Sequence, residues 1–408
     1  MRIAMLCVHS SPSGPLGTLN TGGMSVYVSE LARWLGRQGH RIDIYTCAPG
    51  VKETVRLHAN VRLIHLRGME QFALSKEQLA TRLDAVFSAL EQYRRATGAA
   101  YDLIHSHYWL SAVVGAKARV LWQRPHLITF HTLGAVKNET TPGENEPPGR
   151  IAHERQLVRE AEGIIVPVKS EKGHLLTLYG AFAEKVATIA CGVNLDRFQP
   201  RPRSLARQRL GLDIQDEVVL YVGRFAPIKG VEALLDATAR VAARRSRLRL
   251  LLVGGDGPES ASDRALAARA ATLGIEGRID FRGQIEPRQL ADYYAAADFL
   301  ALPSHYESFG LVVLEAMACG TPVLATPVGI APAIIVEGLN GTLVEGPDAE
   351  AVARGMLRLL TRRADTGASR TRVRATVERY SWERTAEAVA RRYAHTIRNS
   401  NLNPGEET

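Results

Sequence analysis

The chain has 408 residues, of which 46% are hydrophobic and 23% charged, a composition typical of folded domains that excludes extensive disorder. At about 150 residues per domain, this length predicts two or three domains. The net charge of +9 is spread along the chain and aromatic residues are few, so a small anionic ligand fits the composition better than nucleic acid does.

The sequence shows no sign of secretion or membrane insertion. No apolar run approaches the roughly 18 residues that a membrane span requires. The first apolar run, at residues 3–8, lacks the basic leader and the length of a signal peptide. The four cysteines are far apart and form no C-x-x-C pair, so neither a zinc site nor a disulfide framework is expected. We therefore predict a cytoplasmic protein.

Short apolar runs alternate with segments of helical periodicity in the first half of the chain. The runs predict buried strands of a parallel sheet at 3–8, 42–46, 103–106, 127–130 and 164–168. The segments between them predict helices at 26–35, 79–93 and 152–162. This alternation indicates a doubly wound α/β domain.

The pattern restarts after a Pro- and Arg-rich linker at 199–203. Strands are predicted at 218–222, 248–253, 299–302 and 322–325, and helices near 230–245, 261–273, 287–297 and 310–319. We expect one domain at residues 1–200 and a second at 201–380. Because such domains bind ligands beyond the carboxyl ends of their strands, a cleft between the two domains is the expected site.

Gly22 and Gly23 follow the first strand and open a predicted helix. Glycines allow a ligand to approach the backbone closely, and the free N–H groups at a helix start favour phosphate. The absence of G-x-G-x-x-G argues against a nicotinamide dinucleotide site. The pair alone also fits an ordinary glycine-rich connection.

Two cations, Arg224 and Lys229, follow strand 218–222 in a turn that opens a helix. Two positive charges beside helix N–H groups suit a diphosphate. A solvated turn with two surface cations is the alternative.

Two carboxylates follow strand 299–302. Glu307 lies in the loop and Glu315 lies inside the apolar helix that Phe309 and Gly310 open. The loop carboxylate suits sugar hydroxyls and the helical one a ribose diol. Acidic residues are common at helix starts, but that preference does not account for Glu315, which lies inside an apolar helix. A buried carboxylate there needs a partner.

These motifs resemble the family 4 retaining glycosyltransferases, in which Glu307 and Glu315 form the E-x7-E pattern. The resemblance extends from residue 1 to about 395. It implies the GT-B fold, in which two Rossmann-like domains face each other across a cleft. It also implies that a final helix, at residues 381–398, crosses back to the first domain.

The resemblance also implies a role for each matching residue. The donor diphosphate is held by cations, the ribose by Glu315, and the transferred sugar by Glu307. The expected catalytic residues are His131, Arg224, Lys229 and Glu307. The expected donor-binding residues are Gly22, Gly23, Arg224, Lys229, Arg282, Glu307, Phe309, Gly310, Leu311 and Glu315.

Two subgroups are most similar, the inositol-phosphate N-acetylglucosaminyltransferases of mycothiol synthesis and the sucrose-phosphate synthases. Both imply UDP-linked glucosyl or N-acetylglucosaminyl transfer to a small phosphorylated acceptor, either inositol phosphate or fructose 6-phosphate. Ser25 stands where the first subgroup usually has Asn, which leaves the acceptor open. The expected acceptor-binding residues are Ser25, Lys76, Tyr108, Thr132, Lys137 and Arg155.

The resemblance implies a front-face reaction in which the departing diphosphate takes the acceptor proton. No D-x-D motif follows a strand, so we expect no metal and no cofactor beyond the nucleotide sugar. A nucleotide-sugar 2-epimerase, transfer to a lipid or glycan, and a non-enzymatic binding protein are the alternatives. Membrane association is not expected, and a homodimer is implied only by the first subgroup.

Overall fold

The computed structural model describes residues 1–13, 22–47, 53–67, 75–140, 145–361 and 367–400. These residues form two sheets, one in each half of the chain, whose parallel strands are connected by helices. The expected α/β class with two doubly wound domains is confirmed. The strands are β1 (Arg2–Leu6), β2 (Arg41–Thr46), β3 (Thr54–His58), β4 (Val61–His65), β5 (Leu103–His107), β6 (His126–Thr129), β7 (Gly163–Val166), β8 (Val186–Thr188), β9 (Glu217–Gly223), β10 (Leu248–Gly254), β11 (Ile279–Gly283), β12 (Phe299–Leu302), β13 (Val323–Ala325) and β14 (Gly341–Leu343).

The helices lie between these strands and at the end of the chain. The segment predicted as one helix at 79–93 forms two helices, Lys76–Ala80 and Leu83–Thr97. Among the described residues, no helix combines the length and apolar character that a membrane span requires. The helices are α1 (Gly23–Arg37), α2 (Lys76–Ala80), α3 (Leu83–Thr97), α4 (Trp109–Trp122), α5 (Gly134–Thr140), α6 (Pro148–Glu160), α7 (Lys169–Tyr179), α8 (Arg203–Leu210), α9 (Val231–Ala242), α10 (Ala261–Thr272), α11 (Leu290–Ala296), α12 (Leu311–Ala318), α13 (Ala331–Ile334), α14 (Ala349–Thr361), α15 (Gly367–Ala375) and α16 (Trp382–Arg398).

The first sheet has the strand order β3-β4-β2-β1-β5-β6-β7-β8. All of its pairings are parallel except that of β3 with β4. Strands β5, β6 and β7 are buried along their whole length, as parallel strands covered on both faces should be. The chain reverses its direction of winding between β1 and β5, which opens a crevice at the carboxyl ends of these strands.

The second sheet has the order β11-β10-β9-β12-β13-β14 and is parallel throughout, with its switch point between β9 and β12. Two glycines allow the backbone to approach closely at the carboxyl ends of β9, β10 and β12. Gly254 has φ +122°, and a Cβ there would lie 1.9 Å from the carbonyl oxygen of Gly223. Gly230 has φ +68°, and its Cβ would lie 2.1 Å from the carbonyl oxygen of Pro303. A larger residue at either position would push the loops apart.

Helix α16 follows the second domain in sequence but packs on the first. The ring of Trp382 lies 5.7 Å from that of Tyr27 in α1. The hydroxyl of Tyr393 lies 2.6 Å from Nδ1 of the buried His105 in β5. These contacts tie the end of the second domain to the sheet of the first.

Candidate active site

A cavity of about 910 Å³ lies between the carboxyl edges of the two sheets. The first domain contributes the start of α1 and the loops after β5 and β6, and the second contributes the loops after β9, β10 and β12. The cavity therefore lies at the two switch points, where ligands of such domains bind. The predicted site residues that line it are Gly22, Gly23, Lys76, Tyr108, His131, Thr132, Lys137, Arg224, Lys229, Glu307, Phe309, Gly310, Leu311 and Glu315.

The turn after β9 places two cations in the cavity wall. Arg224 is exposed to the cavity, and no carboxylate of the described residues lies within 4 Å of its guanidinium. Lys229 ends a 3₁₀ turn at Pro227–Lys229, and its Nζ lies 2.7 Å from Oε1 of Glu307. The turn thus presents one open positive charge beside one that is already paired, which suits a ligand with more than one negative charge.

Glu307 is held by its Oε1 atom. The hydroxyl of Ser304 donates to this oxygen at 3.0 Å, and Lys229 makes its ion pair with the same oxygen. The carboxylate is largely enclosed, with 12% of the side chain exposed. Since the hydrogen bonds that Glu307 makes with other described residues all engage Oε1, its Oε2 is available to accept from a ligand hydroxyl.

The starts of α1 and α12 lie next to each other in the cavity wall. Gly310 has φ +87° and precedes α12, whose first N–H groups have no partner within the helix. A Cβ on Gly23, the first residue of α1, would lie 3.9 Å from Cδ1 of Leu311. An anion between the two starts would meet the first amides of α12 and the positive ends of two helix dipoles.

Glu315 lies on α12 with one oxygen already engaged. The hydroxyl of Tyr294 donates to its Oε2 at 2.7 Å. Burial raises the pKa of Glu315, and the hydrogen bond from Tyr294 opposes this rise. Glu315 lines the cavity, and no donor of the described residues engages its Oε1, so this oxygen can accept from a hydroxyl or diol.

His131 follows β6 in a strained backbone conformation. Its φ is +62°, which non-glycine residues seldom adopt and which costs about 1–3 kcal/mol. Its Nε2 lies 3.1 Å from Nδ1 of His107. The other ring nitrogen of His131, Nδ1, can therefore bond to a ligand in the cavity. Burial lowers the pKa of His131 to about 3, so the imidazole is neutral near pH 7. A neutral ring can exchange hydrogen bonds with a sugar hydroxyl.

A basic cluster forms the part of the cavity that belongs to the first domain. Nζ of Lys76 lies 5.6 Å, and the guanidinium of Arg150 5.0 Å, from the centre of the Tyr108 ring. Arg150 also donates from Nη2 to the carbonyl oxygen of Thr132 at 3.0 Å and to its Oγ1 at 3.1 Å. The members of the basic cluster are Lys76, Tyr108, Thr132, Lys137 and Arg150.

The positive charges of the two domains act on each other within the cavity. The pKa of Lys76 is lowered, first by the loss of bulk water inside the cleft and then by the charges of Arg224, Arg150 and Lys137. Arg224 belongs to the second domain, so the two cationic regions adjoin. Binding of anions there would relieve the repulsion between these side chains.

Arg155 does not belong to this site, and its prediction is corrected. It lies exposed on α6 and does not line the cavity, whereas Arg150 on the same helix is 4% exposed and does. Five residues along a helix correspond to a turn of about 140° around its axis, so the two arginines point to opposite sides. Arg150, and not Arg155, therefore lies beside Thr132 in the cavity wall.

Two further predicted residues also lie outside the cavity lining. Ser25 is fully buried, and its hydroxyl lies 2.8 Å from Oγ of Ser10. Arg282 turns away to pair with Asp280 and to donate to a backbone carbonyl. The cavity wall near Arg282 is instead formed a few residues later, by a stretch that includes Ile285.

A contact between the domains escaped the sequence analysis. Glu171 on α7 is 2% exposed, and Oγ of Ser308, which lines the cavity, donates to its Oε2 at 3.2 Å. Burial raises the pKa of Glu171 to about 8, and the hydrogen bond from Ser308 opposes this rise. This bond connects the first domain to the loop that carries Glu307. No sequence motif marked Glu171, because its role depends on the second domain.

Comparison with known families divides the chain as the two sheets do. The family described as "Glycosyltransferase Family 4" matches residues 21–197, and "Glycosyl transferases group 1" matches residues 202–379. The D-inositol 3-phosphate glycosyltransferase of Corynebacterium glutamicum is 37% identical over 98% of both chains. The D-inositol 3-phosphate glycosyltransferase 2 of Catenulispora acidiphila is 40% identical over 97% of this chain and 95% of its own.

Solved structures share the whole architecture. Sucrose-phosphate synthase from Thermosynechococcus elongatus superposes with a TM-score of 0.88 at 32% identity, over 98% of this chain and 100% of that one. Anabaena HepE, crystallised with UDP and glucose, superposes with a TM-score of 0.74 at 23% identity, over 97% and 99% of the two chains. The likeness to HepE supports the fold alone.

Proposed function

The chain belongs to the family 4 glycosyltransferases, and from this premise we propose that it transfers a hexosyl group from a nucleoside-diphosphate sugar to a small phosphorylated acceptor, with retention of configuration. The sugar is glucosyl or N-acetylglucosaminyl and the nucleotide is UDP. The acceptor is of the inositol phosphate or fructose 6-phosphate type. The basic cluster beside the open Arg224 is the observation that carries this proposal.

The donor would bind against the second domain. Arg224, Lys229 and the first amides of α12 would share the charge of the diphosphate. Glu315, fixed by Tyr294, would accept from the ribose hydroxyls. Glu307, fixed by Lys229 and Ser304, would accept from hydroxyls of the transferred sugar.

The acceptor phosphate would bind in the basic cluster. Lys76 and Arg150 would supply charged donors, and the hydroxyl of Thr132 can donate while its oxygen accepts from Arg150. Donors of different geometry that converge on one point suit a tetrahedral dianion. Two relatives carry names that fit this assignment, inositol 3-phosphate glycosyltransferase and sucrose-phosphate synthase.

The reaction exchanges one bond at the anomeric carbon for another on the same face. The bond from this carbon to the β-phosphate oxygen breaks, and the acceptor oxygen forms the new bond. The acceptor proton passes to the departing diphosphate. Arg224, Lys229 and the amides of α12 would stabilise the negative charge that develops on the leaving group.

His131 would contact the transferred sugar without acting as an acid. With a pKa of about 3 the ring is neutral near pH 7, so it is not a general acid, and so weak a base accepts a proton poorly. Its bond with His107 fixes the ring, so the remaining nitrogen would orient a sugar hydroxyl.

Transfer from radiolabelled UDP-glucose and UDP-N-acetylglucosamine tests the proposal. Each donor is offered with inositol phosphate, with fructose 6-phosphate, and with the dephosphorylated form of each. We expect labelled product to form far more efficiently with a phosphorylated acceptor than with its dephosphorylated form. Equal transfer to the dephosphorylated compounds, or to a lipid or glycan alone, would overturn the acceptor assignment. Release of a free 2-epimer without an acceptor would identify an epimerase instead.

A further inference from the structure

Glu146 lies within the basic cluster, among side chains otherwise suited to an anion. Its Oε2 accepts from Nη1 of Arg150 at 2.8 Å, and its Oε1 accepts from Nζ of Lys137. Although burial opposes ionisation, the hydrogen bond from Lys137 and the charge of Arg150 lower the pKa of Glu146. A carboxylate therefore engages two of the cationic donors of the basic cluster.

The second carboxylate near Arg150, that of Glu154, has a structural role. It is fully buried and accepts from Nε of Arg150 at 2.7 Å, from the Tyr179 hydroxyl at 2.6 Å and from the Gly134 N–H at 2.9 Å. Three donors from three elements fix it, so it orients Arg150 whether or not a ligand is present.

Glu146 is held differently, because its carboxylate and its backbone have separate anchors. The carboxylate is fixed by Lys137 and Arg150. The backbone N–H donates to Oδ1 of Asn138 at 2.7 Å, and the carbonyl oxygen accepts from Nδ2 of Asn138 at 3.3 Å. Rotation about the side-chain bonds can therefore remove the carboxylate from the cations while the backbone stays in place.

We infer that Glu146 determines acceptor specificity by occupying the acceptor's anion site until a phosphate monoester displaces it. The inference rests on the proposed function. An entering monoanion would replace one carboxylate by another and gain little charge-assisted bonding. A dianionic phosphate brings a second charge and a third oxygen, so it recovers the displaced contacts and adds those to Lys76 and Thr132.

Glu146→Gln tests the inference, because it keeps the shape of the side chain and removes its charge. The Michaelis constant of the phosphorylated acceptor should fall about tenfold while that of the nucleotide sugar and kcat stay near wild type. Glu77→Gln is the matched control. Glu77 also lines the cavity but is exposed, and no cation of the described residues lies within 4 Å of its carboxylate.

Calorimetric titration with inorganic phosphate and with acetate provides a second readout that needs no turnover. In the wild type phosphate should bind and acetate should not, whereas Glu146→Gln should bind phosphate about tenfold more tightly and acetate measurably. Glu146→Ala should behave in the same way, so the test survives if the glutamine variant fails to fold.

The outcomes separate this inference from the proposed function. If the wild type uses phosphorylated acceptors but Glu146→Gln leaves their Michaelis constant unchanged or raises it, the inference fails alone. An equal effect of Glu77→Gln would also overturn it, since general charge would then explain the change. If the wild type does not use phosphorylated acceptors, the proposed function fails, and the phosphate titration still decides whether Glu146 competes with an anion.

Discussion

Replacing Lys76 by Ala should raise the Michaelis constant of the phosphorylated acceptor and leave that of the nucleotide sugar unchanged. A hydrogen bond between charged partners contributes about 1.5–3 kcal/mol, which corresponds to a rise of about 10- to 150-fold. Lys76 is exposed to the cavity, and its side chain makes no hydrogen bond or ion pair with the described residues, so the variant should fold normally.

Initial rates with a labelled donor measure this change. They are compared for the phosphorylated acceptor and for its dephosphorylated form in both enzymes. Because the lost bond is one to phosphate, the preference for the phosphorylated form should fall by the same factor. Use of the dephosphorylated compound should not change.

Arg155→Ala is the control that the structure itself supplies. Family resemblance alone assigns Lys76 and Arg155 the same role, but Arg155 lies on the exposed side of α6. Its variant should retain wild-type constants for both substrates. The reasoning is refuted if both variants lose acceptor affinity equally, or if Lys76→Ala weakens donor binding and leaves the acceptor constant intact.

Three further variants test other contacts. Glu315→Gln should weaken nucleoside-diphosphate binding about tenfold in calorimetry, because a neutral amide accepts less strongly from ribose; unchanged binding would contradict the donor assignment. The pKa of Glu171 is about 8 in the folded state and about 4.3 in the unfolded chain. Between these values the folded state holds a proton that the unfolded state has lost, so the free energy of unfolding falls as pH rises from about 5 to 8. In Glu171→Gln the thermal midpoint should therefore fall less between about pH 5 and 8 than it does in the wild type. If the midpoints of the two proteins fell in parallel over this range, the raised pKa would be contradicted. Tyr393→Phe leaves Nδ1 of His105 buried without its partner and should cost about 1–3 kcal/mol of stability in urea unfolding without changing either Michaelis constant.

The apolar runs predicted the central strands because these strands are covered on both faces. The strands they missed are short or lie at or near sheet edges. β3, at the edge of the first sheet, alternates between exposed and partly buried residues, and β8 and β14 have three residues each. The apolar runs of such strands are too short to distinguish them from loops in the sequence.

Most of the predicted residues that line the cavity lie in the connections that follow strands or in the next helix. Lys76, which stands on α2, was found through resemblance alone. The resemblance alone, which implied Arg155, takes no account of helical phase. Residues 150, 154, 157 and 158 are all buried on one face of α6, and the apolar pair at 157–158 already indicated that face.

Pairings between distant residues could not be predicted. The engagement of Ser25 by Ser10, and the bond between Glu171 and Ser308, depend on how the domains fold and meet. A single sequence contains no signal for such contacts. Glu146 was passed over because its loop is polar and rich in Pro and Gly, which by itself indicates only a surface connection.

A crystal structure of the protein with UDP and inositol phosphate tests the central claim most directly. We expect the diphosphate between Arg224, Lys229 and the start of α12, and the acceptor phosphate within hydrogen-bonding distance of Lys76, Thr132 and Arg150. An acceptor phosphate bound away from the basic cluster, or a diphosphate that does not contact Arg224 and Lys229, would contradict the account.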